Sequence, residues 1–246
     1  MKLSVLALLA ASCLAVAVPV GCESKTPPEF FLAGDSTTAI GGGWGDGFLA
    51  VLRNGATGYN KGHNGATTAS FVAGGDWATV LSLVKNSKAK DQRYVTIQFG
   101  HNDQKTTSNV TIAQFQANLE TMAKQVRSAG ATPIILTSLT RRKFTNGVLN
   151  DDLADVAAAA KKAAAAVGAA LLDLNAASAK YIQAIGSANA DTYNLADGDR
   201  THLNDYGRAV FGRMVADLVL GRFPALDLYI TPDAALSDKI ARGVYA

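Results

Sequence analysis

The sequence predicts an α/β fold, a central parallel sheet with helices packed on both of its faces. Three observations lead there. From Glu29 onward, short apolar runs alternate with longer segments of helical period, and strands separated by helices in this way pair in parallel. No gap is long enough, or rich enough in Pro, Gly and Ser, to be a linker, so 29–246 reads as one domain. Of the 246 residues, 48% are hydrophobic and 17% charged, which supports a sizeable core and excludes a disordered chain.

Taken in order, the chain begins with a segment outside that fold. Lys2 precedes an almost unbroken apolar run from Leu3 to Val20, and Ala15 and Ala17 are spaced like the small residues ahead of a signal-peptidase cut. Residues 1–20 therefore read as a signal peptide, and 21–28, with Cys22, Pro27 and Pro28, as a flexible lead-in to a secreted, extracellular domain. Ser12 and Pro19 interrupt the run, which argues against an anchor, so no membrane contact is expected of the mature form. Cys13 leaves with the leader, and of the two cysteines only Cys22 stays, so no internal disulfide is expected.

Phe30–Ala33 is the first strand, apolar throughout as a strand covered on both faces must be. Gly58–Lys61 is the second. Tyr94–Phe99, rich in β-branched and aromatic residues, is the third. The clearest helix follows at Ile112–Ala129: Ile112, Phe115, Leu119, Met122 and Val126 recur at three or four residues, Thr111 caps the start and Gly130 stops it. Pro133–Leu139 is the fourth strand. Asp151–Val167 is a second helix, whose alanine runs at 157–160 and 163–166 are scaffold, since alanine is the best helix former, and Gly168 ends it. Ala170–Leu174 is the fifth strand. Asp205–Leu220 is the last helix, with Ala209, Val210, Met214, Leu218 and Val219 inward and Gly221 behind. Residues 223–246 show no period and read as an irregular tail on the surface.

The charge balance excludes one class of partner. Lys and Arg number 23 against 20 Asp and Glu, and they are scattered rather than gathered into a stripe, so no nucleic-acid partner is expected. Four polar segments, by contrast, fit poorly as scaffold. Gly34-Asp35-Ser36-Thr37 follows the first strand, at the sheet edge where ligands bind, and presents either an exposed hydroxyl or a plain helix cap. Asn64-Gly65-Ala66 follows the second strand, where Gly65 either lets a backbone N–H approach a reacting atom or simply makes a turn. Gly100-His101-Asn102-Asp103 follows the third, with Asn102 either an amide donor for a developing oxyanion or an Asx turn, and His101 and Asp103 bracing the loop. Asp199-Arg200-Thr201-His202 precedes the last helix, with a carboxylate in reach of one imidazole, as a general base requires.

The three histidines, His63, His101 and His202, also allow a zinc reading with Asp199. No spacing matches a metal-binding helix pair, and that reading leaves Ser36, Gly65 and Asn102 without roles, so no metal is expected.

Together and in order, these four segments resemble the blocks of the SGNH, or GDSL-type, hydrolase superfamily, over about Phe30 to Leu220. With Gly43-Trp44-Gly45-Asp46 and Phe48, they look most like its rhamnogalacturonan acetylesterases, which remove acetyl groups from pectin. The resemblance implies a flavodoxin-like three-layer α/β/α fold. It also implies Ser36 as nucleophile, His202 as base, Asp199 as its partner, and Ser36, Gly65 and Asn102 as oxyanion donors.

The expected reaction is acyl transfer through an acyl-enzyme on an acetylated polysaccharide or oligosaccharide, by a monomer, and it requires no organic cofactor. The alternatives are an acetylxylan esterase, a broader GDSL-type esterase or lysophospholipase, and a non-catalytic carbohydrate-binding module on the same fold. Trp44 is a candidate for sugar stacking, against the plainer reading of a core tryptophan. Arg141, in the run Arg141-Arg142-Lys143 after the fourth strand, is a candidate for meeting a pectin carboxylate, against the plainer reading of a solvated charge run.

Overall fold

The computed structural model describes residues 26–89 and 92–246, so the leader at 1–20 and most of the lead-in at 21–28 lie outside the described residues. Five parallel strands form the sheet: β1 (Glu29–Gly34), β2 (Thr57–Asn60), β3 (Arg93–Gln98), β4 (Thr132–Leu136) and β7 (Ala170–Leu172), ordered β2-β1-β3-β4-β7. The remaining strands, β5 (Phe144–Thr145) and β6 (Val148–Leu149), make a small antiparallel hairpin apart from it. With the hairpin left aside, the order is the flavodoxin-like one, and it reverses between β1 and β3, which opens a crevice at their C-terminal ends.

Strand side chains alternate between two cores, as their period of two dictates. Phe30, Leu32, Ile134, Leu136 and Leu172 face one layer, made by α1 (Gly45–Ala50), α6 (Leu174–Asp191) and α7 (Asp205–Arg222). Phe31, Ala33, Val95, Ile97 and Ile135 face the other, made by α2 (Thr68–Ala73), α3 (Asp76–Asn86), α4 (Ile112–Ser128) and α5 (Ala154–Val167). The alanines of α5 are its packing surface, with Ala159, Ala160, Ala163 and Ala164 buried. On the opposite layer α1 and α7 touch backbone to backbone: a Cβ on Gly212 would run into Gly47 and Phe48, and one on Gly47 into the Arg208 carbonyl. Glycine is required at both positions.

Some expectations are corrected. The fourth strand stops at Leu136, and Thr137 to Thr140 form a loop instead. Ile112 and Ala209 are exposed rather than inward, and Phe211, Val215 and Ala216 fill the core side of α7. The tail is not irregular. A 3-10 helix at Pro224–Tyr229 leads to α8 (Ala234–Arg242), and Asp217 of α7 accepts from both the buried Arg213 and Ser237 Oγ, at 2.6 and 2.9 Å, which fastens α8 in place.

Candidate active site

All four polar segments converge at the C-terminal edge of the sheet. A Cβ on Gly34, the last residue of β1, would collide with Thr38 and the Gln98 carbonyl, so glycine lets the chain turn tightly beside β3. Asp35 shapes the turn. Its Oδ1 accepts from the Thr37 backbone N–H at 2.9 Å and from Thr37 Oγ1 at 2.7 Å, with Ser36 held between. Burial pushes the Asp35 pKa up, with the Thr37 hydrogen bonds opposing it. Gln98, ending β3, donates to Thr37 Oγ1 at 2.8 Å and accepts from Trp44 Nε1 at 2.6 Å. Trp44 is fully buried and edge-on to Phe48. It closes the first loop from inside and offers no face to a sugar, which corrects the stacking expectation.

Ser36, His202 and Asp199 form one hydrogen-bonded series. His202 Nε2 lies 2.8 Å from Ser36 Oγ, and Nδ1 lies 2.9 Å from Asp199 Oδ2. Asp199 Oδ1 accepts from the backbone N–H groups of Thr201 and His202, at 3.1 and 3.0 Å. Burial raises the Asp199 pKa, but these N–H groups and the imidazole outweigh it and hold the carboxyl below its usual range. An ionised Asp199 can only accept, so the proton is on Nδ1 and the Nε2 lone pair faces the serine hydroxyl.

Hydrogen-bond donors surround the same space. The backbone N–H groups of Ser36 and Gly65 make no hydrogen bond among the described residues, and both residues line a cleft of about 380 Å³ with His202. Gly65 has φ +78, and a Cβ there would meet open space. Glycine suits the left-handed turn there. Asn102, also in the cleft, spends one amide hydrogen on the Ala66 carbonyl at 3.0 Å, which leaves one free. Its Oδ1 accepts from Lys105 Nζ at 2.7 Å. Asp103 ties the two donor loops together, taking the Thr68 backbone N–H at 2.8 Å and its hydroxyl at 2.6 Å. His101 donates Nε2–H to the Leu139 carbonyl at 2.8 Å, and its ring is neutral: burial, then the charge of Arg141, pushes its pKa down to about 3. His101 and Asp103 thus brace the loop, as expected. His63 pairs elsewhere, with Asp76 at 2.7 Å, so the three imidazoles do not share a site.

Two further residues belong to the site. Arg142 is fully buried, not solvated. Its guanidinium donates to Asn194 Oδ1 at 2.8 Å and to the carbonyls of Asp199 and His202 at 3.2 and 2.6 Å, and its backbone N–H to the Arg200 carbonyl at 2.9 Å. One side chain therefore holds the whole loop carrying the acid and the imidazole. Burial lowers its pKa to about 10, still well above neutrality, so it stays charged. Lys105, beside Asn102, is the second. Arg141 lines the cleft, and among the described residues no carboxylate does. A serine activated by an oriented imidazole beside three free donors can attack an ester carbonyl and hold the oxyanion that results.

Residues 32–210 match the GDSL-like Lipase/Acylhydrolase family. The chain is 31% identical over 213 residues to rhamnogalacturonan acetylesterase RhgT of Bacillus subtilis (78% of this chain, 90% of the relative). It is 27% identical over 201 residues to a probable rhamnogalacturonan acetylesterase, YesY, of the same organism (76% and 90%). Among solved structures, a Bacillus subtilis protein superimposes with a TM-score of 0.70 at 24% identity, over 79% of this chain and 56% of its own length. The acetylxylan esterase Axe2 of Geobacillus stearothermophilus does so with a TM-score of 0.57 at 18% identity, over 80% and 95%. These two likenesses speak to the fold.

Proposed function

The chain belongs to the GDSL-like lipase/acylhydrolase family, and on that footing we propose that it is a secreted, monomeric serine esterase that removes acetyl groups from acetylated rhamnogalacturonan. One observation carries the reading. A hydroxyl, an imidazole and a carboxylate in hydrogen-bonded series open onto a cleft beside two unused backbone N–H groups and a free amide hydrogen. The substrate is taken from the two Bacillus relatives, both named for that activity. A small acyl group suits the cleft, since Leu195 is the one apolar side chain of appreciable size among the residues that line it.

In this mechanism Ser36 Oγ attacks the acetyl carbonyl as its proton passes to His202 Nε2, and the ionised Asp199 stabilises the imidazolium that forms. The oxyanion takes hydrogen bonds from the N–H groups of Ser36 and Gly65 and from the Asn102 amide. The carbon–oxygen bond to the sugar then breaks, and His202 returns the proton to the leaving alcohol. Water, deprotonated by the same imidazole, attacks the acetyl-enzyme and frees Ser36 and acetate.

The test is acetate release from acetylated rhamnogalacturonan, acetylated xylan and a lysophospholipid, with 4-nitrophenyl acetate as a chromogenic control. The rhamnogalacturonan is expected to be the best substrate, and Ser36→Ala to abolish the acetyl-enzyme burst. Faster turnover of xylan or lipid would replace the substrate, a fully active Ser36→Ala would overturn the nucleophile, and hydrolysis of nothing would leave a binding module.

A further inference from the structure

Of the ten arginines in the described residues, nine have a visible partner. Arg53, Arg93 and Arg127 donate to backbone carbonyls, Arg142 grips the loop at 194–202, Arg200, Arg208, Arg213 and Arg242 pair with aspartates, and Arg222 lies over Phe223. The guanidinium of Arg141 has none, although its Nε is shielded from water. A shielded donor without an acceptor is costly in a resting protein and is satisfied if a ligand brings the acceptor. Arg141 lines the same cleft as Ser36 and His202. Lys105 lines it too, and among the described residues its ammonium bonds only the neutral Asn102 Oδ1, which leaves its charge uncompensated and two of its three N–H donors free. Both cations help to lower the His101 pKa, after the larger effect of burial.

We propose that Arg141 and Lys105 form a carboxylate-binding subsite beside Ser36, so that the enzyme prefers acetyl esters of sugars bearing a free carboxylate, the uronates, over the same sugars with that acid methylated. The planar fork of Arg141 suits two parallel hydrogen bonds to one carboxylate, with the ammonium of Lys105 as a second point of charge. This rests on the acetylesterase reading and deepens it. The preference is for the free acid, so methylation of the uronate suppresses deacetylation of the same ring.

The experiment compares kcat/KM on the acetylated methyl glycoside of galacturonic acid with that on its methyl ester, for the parent enzyme and for Arg141→Gln and Arg141→Lys. Because the guanidinium has no partner among the described residues, both variants are expected to melt close to the parent. The parent should favour the free acid by about ten- to a hundredfold, the size of a charge-assisted hydrogen bond made in the transition state. Arg141→Gln should bring that ratio within about threefold of unity, and Arg141→Lys, which keeps the charge but not the fork, should restore only part of it. Equal rates on acid and ester in the parent, or a preference untouched in Arg141→Gln, would overturn the subsite. A subsite that holds only the released acetate would give product inhibition relieved in Arg141→Gln with no acid preference, and that also counts against the proposal. If neither sugar ester nor 4-nitrophenyl acetate is hydrolysed, the esterase reading itself fails and takes this inference with it.

Discussion

Ser36 Oγ and His202 Nε2 lie 2.8 Å apart before any substrate arrives, so in the proposed mechanism the first proton transfer needs no rearrangement. What remains is to stabilise the oxyanion, and there Asn102 is the exposed point. Asn102→Ala removes one of three donors, and kcat is expected to fall about 100- to 1000-fold with KM little changed. Steady-state kinetics on 4-nitrophenyl acetate check this, and a rise in KM at constant kcat would assign Asn102 to binding instead. Asp199→Asn should cost more, about ten-thousandfold in kcat, because an amide that donates toward Nδ1 favours the wrong tautomer. These residues were legible because their chemistry is local, each following a strand or preceding a helix within a few positions. Arg142 was not. Its value lies in the carbonyls of Asp199 and His202, 57 and 60 positions away, and inside a run of three cations it has the look of surface.

At the scale of elements, the loop from Asn194 to His202 is the weakest-supported part of the site. It has no helix or sheet of its own beyond one bridge between Asn194 and Leu203, and Arg142 supplies much of what holds it. Arg142→Met is therefore expected to lower kcat by about ten- to a hundredfold and stability by about 3 kcal/mol, the cost of leaving buried carbonyls without their donor. Thermal melting together with the kcat-against-KM split measures both, and a stable variant with normal kcat would deny the loop its clamp. All five sheet strands were located in the sequence, although β2, Thr57-Gly58-Tyr59-Asn60, has no apolar run, and four of the five moved by two residues or fewer at either end. Helices α6 and α8 were not readable. Gly186 breaks the period of α6 with a non-helical turn, and α8, nine residues long, is too short for its period to stand out.

For the whole molecule, the buried neutral ring of His101 sets a dependence on acidity. Unfolded, His101 takes a proton near its ordinary pKa of 6.5; folded, only near 3. Between those values the unfolded state holds the extra proton, so stability rises with pH through the window and is lost as pH falls, by up to about 1.4 kcal/mol per unit. Denaturant melts at pH 7 and pH 5 should differ by about 2 kcal/mol, and His101→Gln, which can still donate to Leu139, should narrow the gap. Asp35 and Asp103, both raised by burial, act in the opposite sense toward acid, so the parent-to-variant difference is the quantity to read. An unchanged gap in the variant would remove His101 from the account. The layer order and the convergence of the four segments were foreseeable from strand–helix alternation. That Gly47 and Gly212 must touch was not, since backbone contact between two glycines leaves no pattern in either helix.

That contact has a temporal consequence. Ser36 is made 166 residues before His202, which stands just ahead of α7, the helix that seats against α1 through those glycines. A nascent or partly refolded chain can carry a finished sheet and still lack an enzyme. In refolding, esterase activity should therefore appear with the docking of the last helix and lag the recovery of secondary structure, which makes turnover a clock for the final step of assembly.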